Sequence, residues 1–308
     1  MLQATDFTYD GISSTMYGLK IATFDESTLV NTPYVTPTIK TAKPAKSKKF
    51  LYQDITYDNP PTYEFSIVCE EPISDLILRE ILSWLEARRG YRELKFHQPG
   101  LEDYTYNCIF TVSNIIYHLG NCVGLTLVAN FDSIYTYGIP TVIELTVAEG
   151  ATQVEVKDNS VNTASGDDYS YTEPITHSVA SIVLVNASDV EDEFVYPVVE
   201  FKTEKNFIGI TTYVKEDAEE LIPIAEEFKY EEVSGGTKMS ANTAFKIDNE
   251  RKIVGLGENN AVVGLLTNFN KKWLKLKNGY NLLEIRFNNA TAGDTVKITC
   301  PTYAKIRF

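Results

Sequence analysis

Histidine, methionine and tryptophan are scarce in this sequence, at 3, 3 and 2 of 308 residues, and there are 4 cysteines. Each shortage removes a class of chemistry. His97, His118 and His177 lie far apart and show neither HExxH nor HxH spacing, so they carry no zinc-hydrolase signature. Cys69, Cys108, Cys122 and Cys300 have no CxxC spacing, and the first three sit in or beside apolar runs. They read as small buried hydrophobes, not as a disulfide framework or a metal site. No run approaches the roughly 20 apolar residues of a membrane span. No N-terminal segment joins a charged start, an apolar centre and a cleavage site, so folding without a signal peptide in a reducing cytoplasm is expected.

Basic charge is also short. Lys and Arg number 28 against 42 Asp and Glu, for a net charge of −14. Residues 1–138 carry 11 basic and 16 acidic side chains, and 139–308 carry 17 and 26. Neither half is built to grip a phosphate backbone or an anionic membrane. Catalytic patterns are missing too. Gly255-Leu-Gly257 begins like GxGxxG, but residue 260 is Asn and no helix follows. There is no GxSxG and no Walker pattern. Asp167-Asp168 lies in a Ser/Gly-rich loop without the alternating oxygen ligands of a calcium loop. The 42 carboxylates offer no particular acid–base pair. The expectation is therefore no enzyme, with no catalytic, cofactor-binding or metal residues.

Tyrosine and phenylalanine are plentiful, at 19 and 15, which favours β structure. The length suggests two domains. Residues 5–24 alternate, with Asp10-Gly11 as a turn, and Tyr63–Cys69 alternates cleanly. One helix stands out at about 74–89. Ser74 is its N-cap, and Ile77, Ile81, Trp84, Leu85 and Arg88 share a stripe. Arg88 and Arg89 fall in the last turn, and Gly90 closes it. Strands are expected at Tyr91–Phe96, Tyr104–Val112 and Gly124–Phe131, ending a first domain, 1–138, near Tyr137-Gly138-Ile139-Pro140. The second domain, 139–308, reads as short strands separated by turns, hence a sandwich or barrel. Glu216–Glu227 is acidic and could form a short helix, limited by Pro223.

The clearest local signal is Asn268 to Phe287, read as a β-hairpin on Asn278-Gly279, the dipeptide suited to a type I′ turn. It would pair Leu276 with Asn281 and Leu274 with Leu283. Leu274, Leu276, Leu283, Ile285 and Phe287 would face the core. Trp273, Lys275, Lys277, Tyr280, Leu282, Glu284 and Arg286 would share the wetter face. Trp84 and Trp273 both read first as packing residues, with Trp273 the better interface candidate if its face is covered.

Residues 25–49 are polar and Pro-rich and hold Lys40, Lys43, Lys46, Lys48 and Lys49, with no acidic residue between Glu26 and Asp54. This is a solvated loop or an arm, about 27–49, that docks on an acidic surface such as a neighbouring copy.

Three segments together resemble the distal tail proteins of long-tailed bacteriophages and prophage tail-like particles. They are Phe7-Thr-Tyr9-Asp-Gly11 through Tyr17-Gly-Leu-Lys-Ile21; Leu82-Ser-Trp84-Leu85 through Gly90-Tyr91 to Phe96; and Ile247-Asp248-Asn249-Glu-Arg251-Lys-Ile253 with Phe269 to Leu276 and Gly279-Tyr-Asn281. The resemblance implies a mostly β fold. Its parts are an N-terminal β-sandwich with one helix and an extended arm, and a C-terminal galectin-like β-sandwich. It further implies a homo-hexameric ring at the distal end of a phage tail, assembled in the bacterial cytoplasm and carried in the virion. The ring would join the tail tube protein to the tail-tip hub, the baseplate and receptor-binding proteins. Lys40, Lys43, Lys46, Lys48, Lys49 and Trp273 are then interface candidates. The other reading is a carbohydrate-binding module taking part in host-cell recognition.

Overall fold

The architecture is described here from a computed structural model, for residues 4–22, 38–42, 51–56, 61–86, 89–100, 102–159, 169–189, 194–202, 207–216, 220–223, 227–231, 244–256, 260–261, 269–287 and 291–305. Two compact units divide the chain, one of residues 1–138 with 304–308 and one of 139–303.

The first unit opens with β1 (Phe7–Tyr9) and β2 (Ile12–Ser13), a 3-10 turn at Ser14–Tyr17, and β3 (Leu19–Ala22). Then come β4 (Thr38–Ala42), β5 (Leu51–Thr56), β6 (Thr62–Cys69), the helix α1 (Asp75–Glu86), β7 (Arg92–Phe96), β8 (Tyr106–His118) and β9 (Asn121–Phe131). Seven of these strands form one antiparallel sheet in the order β2-β1-β7-β8-β9-β6-β3. In a flat sheet the four steps from β1 to β6 would span about 19 Å. Yet the rings of Phe7 and Phe65 meet edge to face at 5.8 Å. The sheet is therefore rolled so that its two halves face each other. The roll is fastened where Ile21 N–H of β3 donates to Thr5 O, just ahead of β1, at 2.8 Å. Alternation along β6 and β9 supplies the inward set, including Tyr63, Phe65, Ile67, Leu125, Leu127, Ala129 and Phe131. Where β9 pairs with the end of β6, a Cβ on Gly124 would lie 2.2 Å from Ile67 O, so only glycine fits.

The helix begins as expected. Ser74 Oγ accepts from Ile77 N–H at 3.4 Å, and Leu78 N–H donates to Ser74 O. Its buried residues are Ile81, Trp84 and Leu85. Ile77, assigned to the same stripe from its spacing, is instead exposed in the first turn. The helix ends at Glu86, so Arg89 stands beyond it; Arg88 lies outside the described residues.

β10 (Tyr135–Val147) leads to the second unit, with β11 (Gln153–Asp158), β12 (Tyr169–Pro174), β13 (Val179–Asn186), β14 (Val198–Lys202), β15 (Phe207–Glu216), β16 (Glu220–Pro223) and β17 (Phe228–Glu231). It closes with β18 (Ala244–Asp248), β19 (Ile253–Leu256), β20 (Asn260–Ala261), β21 (Gly279–Phe287) and β22 (Thr295–Lys305). One sheet runs β12-β11-β10-β22-β14-β18-β19-β20, the other β13-β21-β15-β16, with β17 also on β15. Leu145, Val154, Val199, Ile247 and Ile298 of the first meet Ile182, Leu184, Ile210, Leu283 and Ile285 of the second in one core. This is a two-sheet sandwich. The fold is mostly β with a single α-helix among the described residues, as the sequence led us to expect. Glu216–Glu227 is not helical where described: Glu220–Pro223 is a strand, paired with Tyr213–Glu216 of β15. Pro223 is tolerated because it ends that strand.

The expected hairpin on Asn278-Gly279 does not form. β21 pairs with β13 and β15, while Leu276 exchanges backbone bonds with Val195. Gly279 takes φ 83°, but Asn278 does not join it at positive φ, as a type I′ turn requires. Asparagine side chains replace the missing ladder. Buried Asn281 accepts from Lys277 N–H at 3.0 Å and donates to Lys277 O and Gly279 O. Asn186 also donates to Lys277 O. Buried Asn249, in the turn between β18 and β19, accepts from Leu274 N–H at 2.9 Å and donates to Pro197 O at 2.6 Å. The face assignment survives this change of partner: Leu274, Leu276, Leu283, Ile285 and Phe287 are all buried.

Candidate assembly surfaces

Lys40 lies in β4, opposite Asp54 of β5, at a point where the register shifts between Lys40 and Thr41. β4 and β5 form a two-stranded sheet of their own. Lys43, Lys46, Lys48 and Lys49 lie outside the described residues. Trp273 is half-buried, edge-on to Phe269 at 4.9 Å, and packs against the core of its own unit. Beside it in sequence, the Lys275 ammonium sits 3.9 Å over the Phe194 ring, a cation–π contact. Trp84 is buried inside the first unit, stacked on Phe7 at 5.9 Å and close to Tyr17.

One polar cluster was not legible in the sequence. Asp6 Oδ1 binds His97 Nδ1, and His97 Nε2 shares a hydrogen with Thr8 Oγ1 at 2.9 Å. The order carboxylate–imidazole–hydroxyl is that of a hydrolase relay. A relay also needs donors aimed at a developing oxyanion. Here the contacts run within the structure itself: His97 N–H donates to Asp6 O, and Thr8 is paired with Ser13 on one side and Lys95 on the other. The cluster clasps the lead-in to β1 onto the end of β7. The partners are 91 residues apart, which no local motif could announce.

Among the described residues no three His, Cys, Asp or Glu side chains gather to hold a metal ion. Cys108, Cys122 and Cys300 are buried, Cys69 partly so, and none is in a disulfide. Burial pushes the Cys300 thiol up to about 12 and Cys108 higher still, so both are protonated and unreactive.

The described surface shows one concentration of exposed apolar groups in the first unit. β8 and β9 run on past the core to a two-residue turn, with His118 paired to Asn121. Leu119 and Gly120 occupy the turn at φ 49° and 83°, and Leu119 is 89% exposed. Tyr117 beside it is 61% exposed. α1 starts near the same end, because Ile73 N–H donates to Cys122 O at 2.8 Å. Its first turn adds exposed Leu76 and Ile77.

Residues 2–133 match a protein family described as phage tail protein N-terminal domain. Comparison with curated proteins gives no match. Among solved structures, the chain is similar to the Dit protein (gp 19.1) of phage SPP1. That structure is described as a paradigm of the hub adsorption apparatus in phages infecting Gram-positive bacteria. The TM-score is 0.56 at 13% identity, covering 96% of this chain and 98% of that one. Residues 2–133 are thus similar to a phage tail protein N-terminal domain, and nearly the whole chain shares the fold of the SPP1 Dit protein.

Proposed function

We propose that this structural tail protein closes a homo-hexameric ring at the distal end of a phage tail. The ring joins the tail tube protein to the tail-tip hub and adsorption apparatus, with receptor-binding proteins beyond it. The observation that carries the reading is the coincidence of two independent likenesses: the N-terminal family match and a fold shared along both units. The second unit plays the part of an outward-facing galectin-like sandwich. The segment with Lys40, Lys43, Lys46, Lys48 and Lys49 is the arm that reaches the next acidic subunit. Supporting this, β4–β5 pairs with none of the three larger sheets among the described residues.

A ring of one chain uses heterologous contacts, each burying on the order of 1,000 Å² or more. Deleting residues 30–48 is expected to suppress ring formation, read by negative-stain microscopy, with the unfolding temperature nearly unchanged. Equal loss of fold and assembly would show that the segment belongs to the core and is no arm.

A further inference from the structure

Between Asp103 and Asp132 the chain has no Asp, Glu, Lys or Arg, its longest charge-free stretch in a protein of net charge −14. That stretch is the β8–β9 hairpin. Glu64 and Glu86 are engaged at its base, accepting from Ser113 Oγ and Val112 N–H. Beyond them the hairpin ends in Tyr117, His118, Leu119, Gly120 and Asn121.

The tip is built against local preference. Both central residues of the turn sit at positive φ, the type I′ geometry for which Asn-Gly is favoured. Leucine there brings its Cβ against the backbone and leaves a large apolar side chain in water. Neither cost is offset by any packing within the unit, since Leu119 is 89% exposed. Strain and exposure at one residue are accounted for when something outside the chain covers it.

We infer that this tip is the apolar knob by which one copy of the chain engages a second copy, an inference that rests on the ring reading. Charge selects the occupant. An acidic protein meeting a basic partner gains by presenting carboxylates, whereas a contact with an equally acidic partner gains by removing them. A second copy is the like-charged partner that a ring supplies. Tyr117 and Leu119 give the contact an apolar centre, where hot spots concentrate.

The test uses the full chain, with Leu119→Asn and Tyr117→Ser compared by mass photometry over a concentration series. Leu119→Asn restores Asn-Gly to the turn, so its unfolding temperature should equal or exceed that of the parent. The concentration needed for assembly should rise at least about tenfold. Tyr117→Ser should shift assembly the same way. A photo-cross-linking residue at 119 should yield covalent dimers of the chain. Rings formed by both variants at the parent's concentration would overturn the knob while leaving the ring standing. So would cross-links only to other tail proteins. A lowered unfolding temperature in Leu119→Asn would contradict the strain argument. A parent that stays monomeric with tube and hub proteins present would remove the ring reading and the knob with it.

Discussion

The Trp84 indole N–H donates to the Tyr9 backbone carbonyl at 3.0 Å, tying the only described α-helix to the first strand. Phe7, Tyr9, Tyr17 and Phe110 surround that bond with rings. Trp84→Phe keeps most of the packing but leaves the carbonyl without this donor. It should lower stability by about 1–2 kcal/mol, and Trp84→Ala by about 3–5 kcal/mol. Urea titration followed by circular dichroism checks both. A Trp84→Phe as stable as the parent would mean that packing alone matters.

Asn249 ties Leu274 to Pro197, accepting from Leu274 N–H and donating to Pro197 O. Asn249→Ala orphans two buried backbone groups and should cost about 2–4 kcal/mol. Asn249→Asp supplies no donor and buries a charge, so it should cost at least as much. Denaturant midpoints measure the difference. A neutral Asn249→Ala would show that water replaces the side chain.

Alkaline pH should weaken the first unit. Burial, with a smaller contribution from the Cys108 sulfur, pushes the Tyr9 phenol from 10 up to about 12, and burial moves Tyr106 likewise. Between pH 10 and 12 the unfolded phenol loses its proton while the folded one keeps it, so ionisation favours unfolding. Each group contributes a fall of about 1.4 kcal/mol per pH unit in that window. Stability measured from pH 9 to 11.5 should fall less steeply for Tyr106→Phe. An unchanged slope would place the titration elsewhere.

Two glycine turns show where the sequence was legible. Asn278-Gly279 carries the favoured hairpin dipeptide, yet no hairpin forms there, because β13 and β15 take both edges of β21. Leu119-Gly120 carries no such signal, yet closes a hairpin of long strands. Local propensity is a small energy, and long-range pairing outweighs it. What alternation controls was readable: the apolar face of 274–287, the buried stripe of β6, and the cap of α1 at Ser74. What depends on distant partners was not, as in the rolled sheet fastened by Ile21 and Thr5, the Asp6–His97–Thr8 clasp, and the strand at Glu220–Pro223. The exposed tip escaped notice because an apolar residue in an apolar run looks like core until its neighbours are known.

The most direct measurement is electron microscopy of the purified full chain, alone and mixed with tail tube and hub proteins. Two-dimensional averages with six-fold symmetry and a central opening are the predicted result. Monomers alone at the highest attainable concentration, with both partners present, would contradict the account.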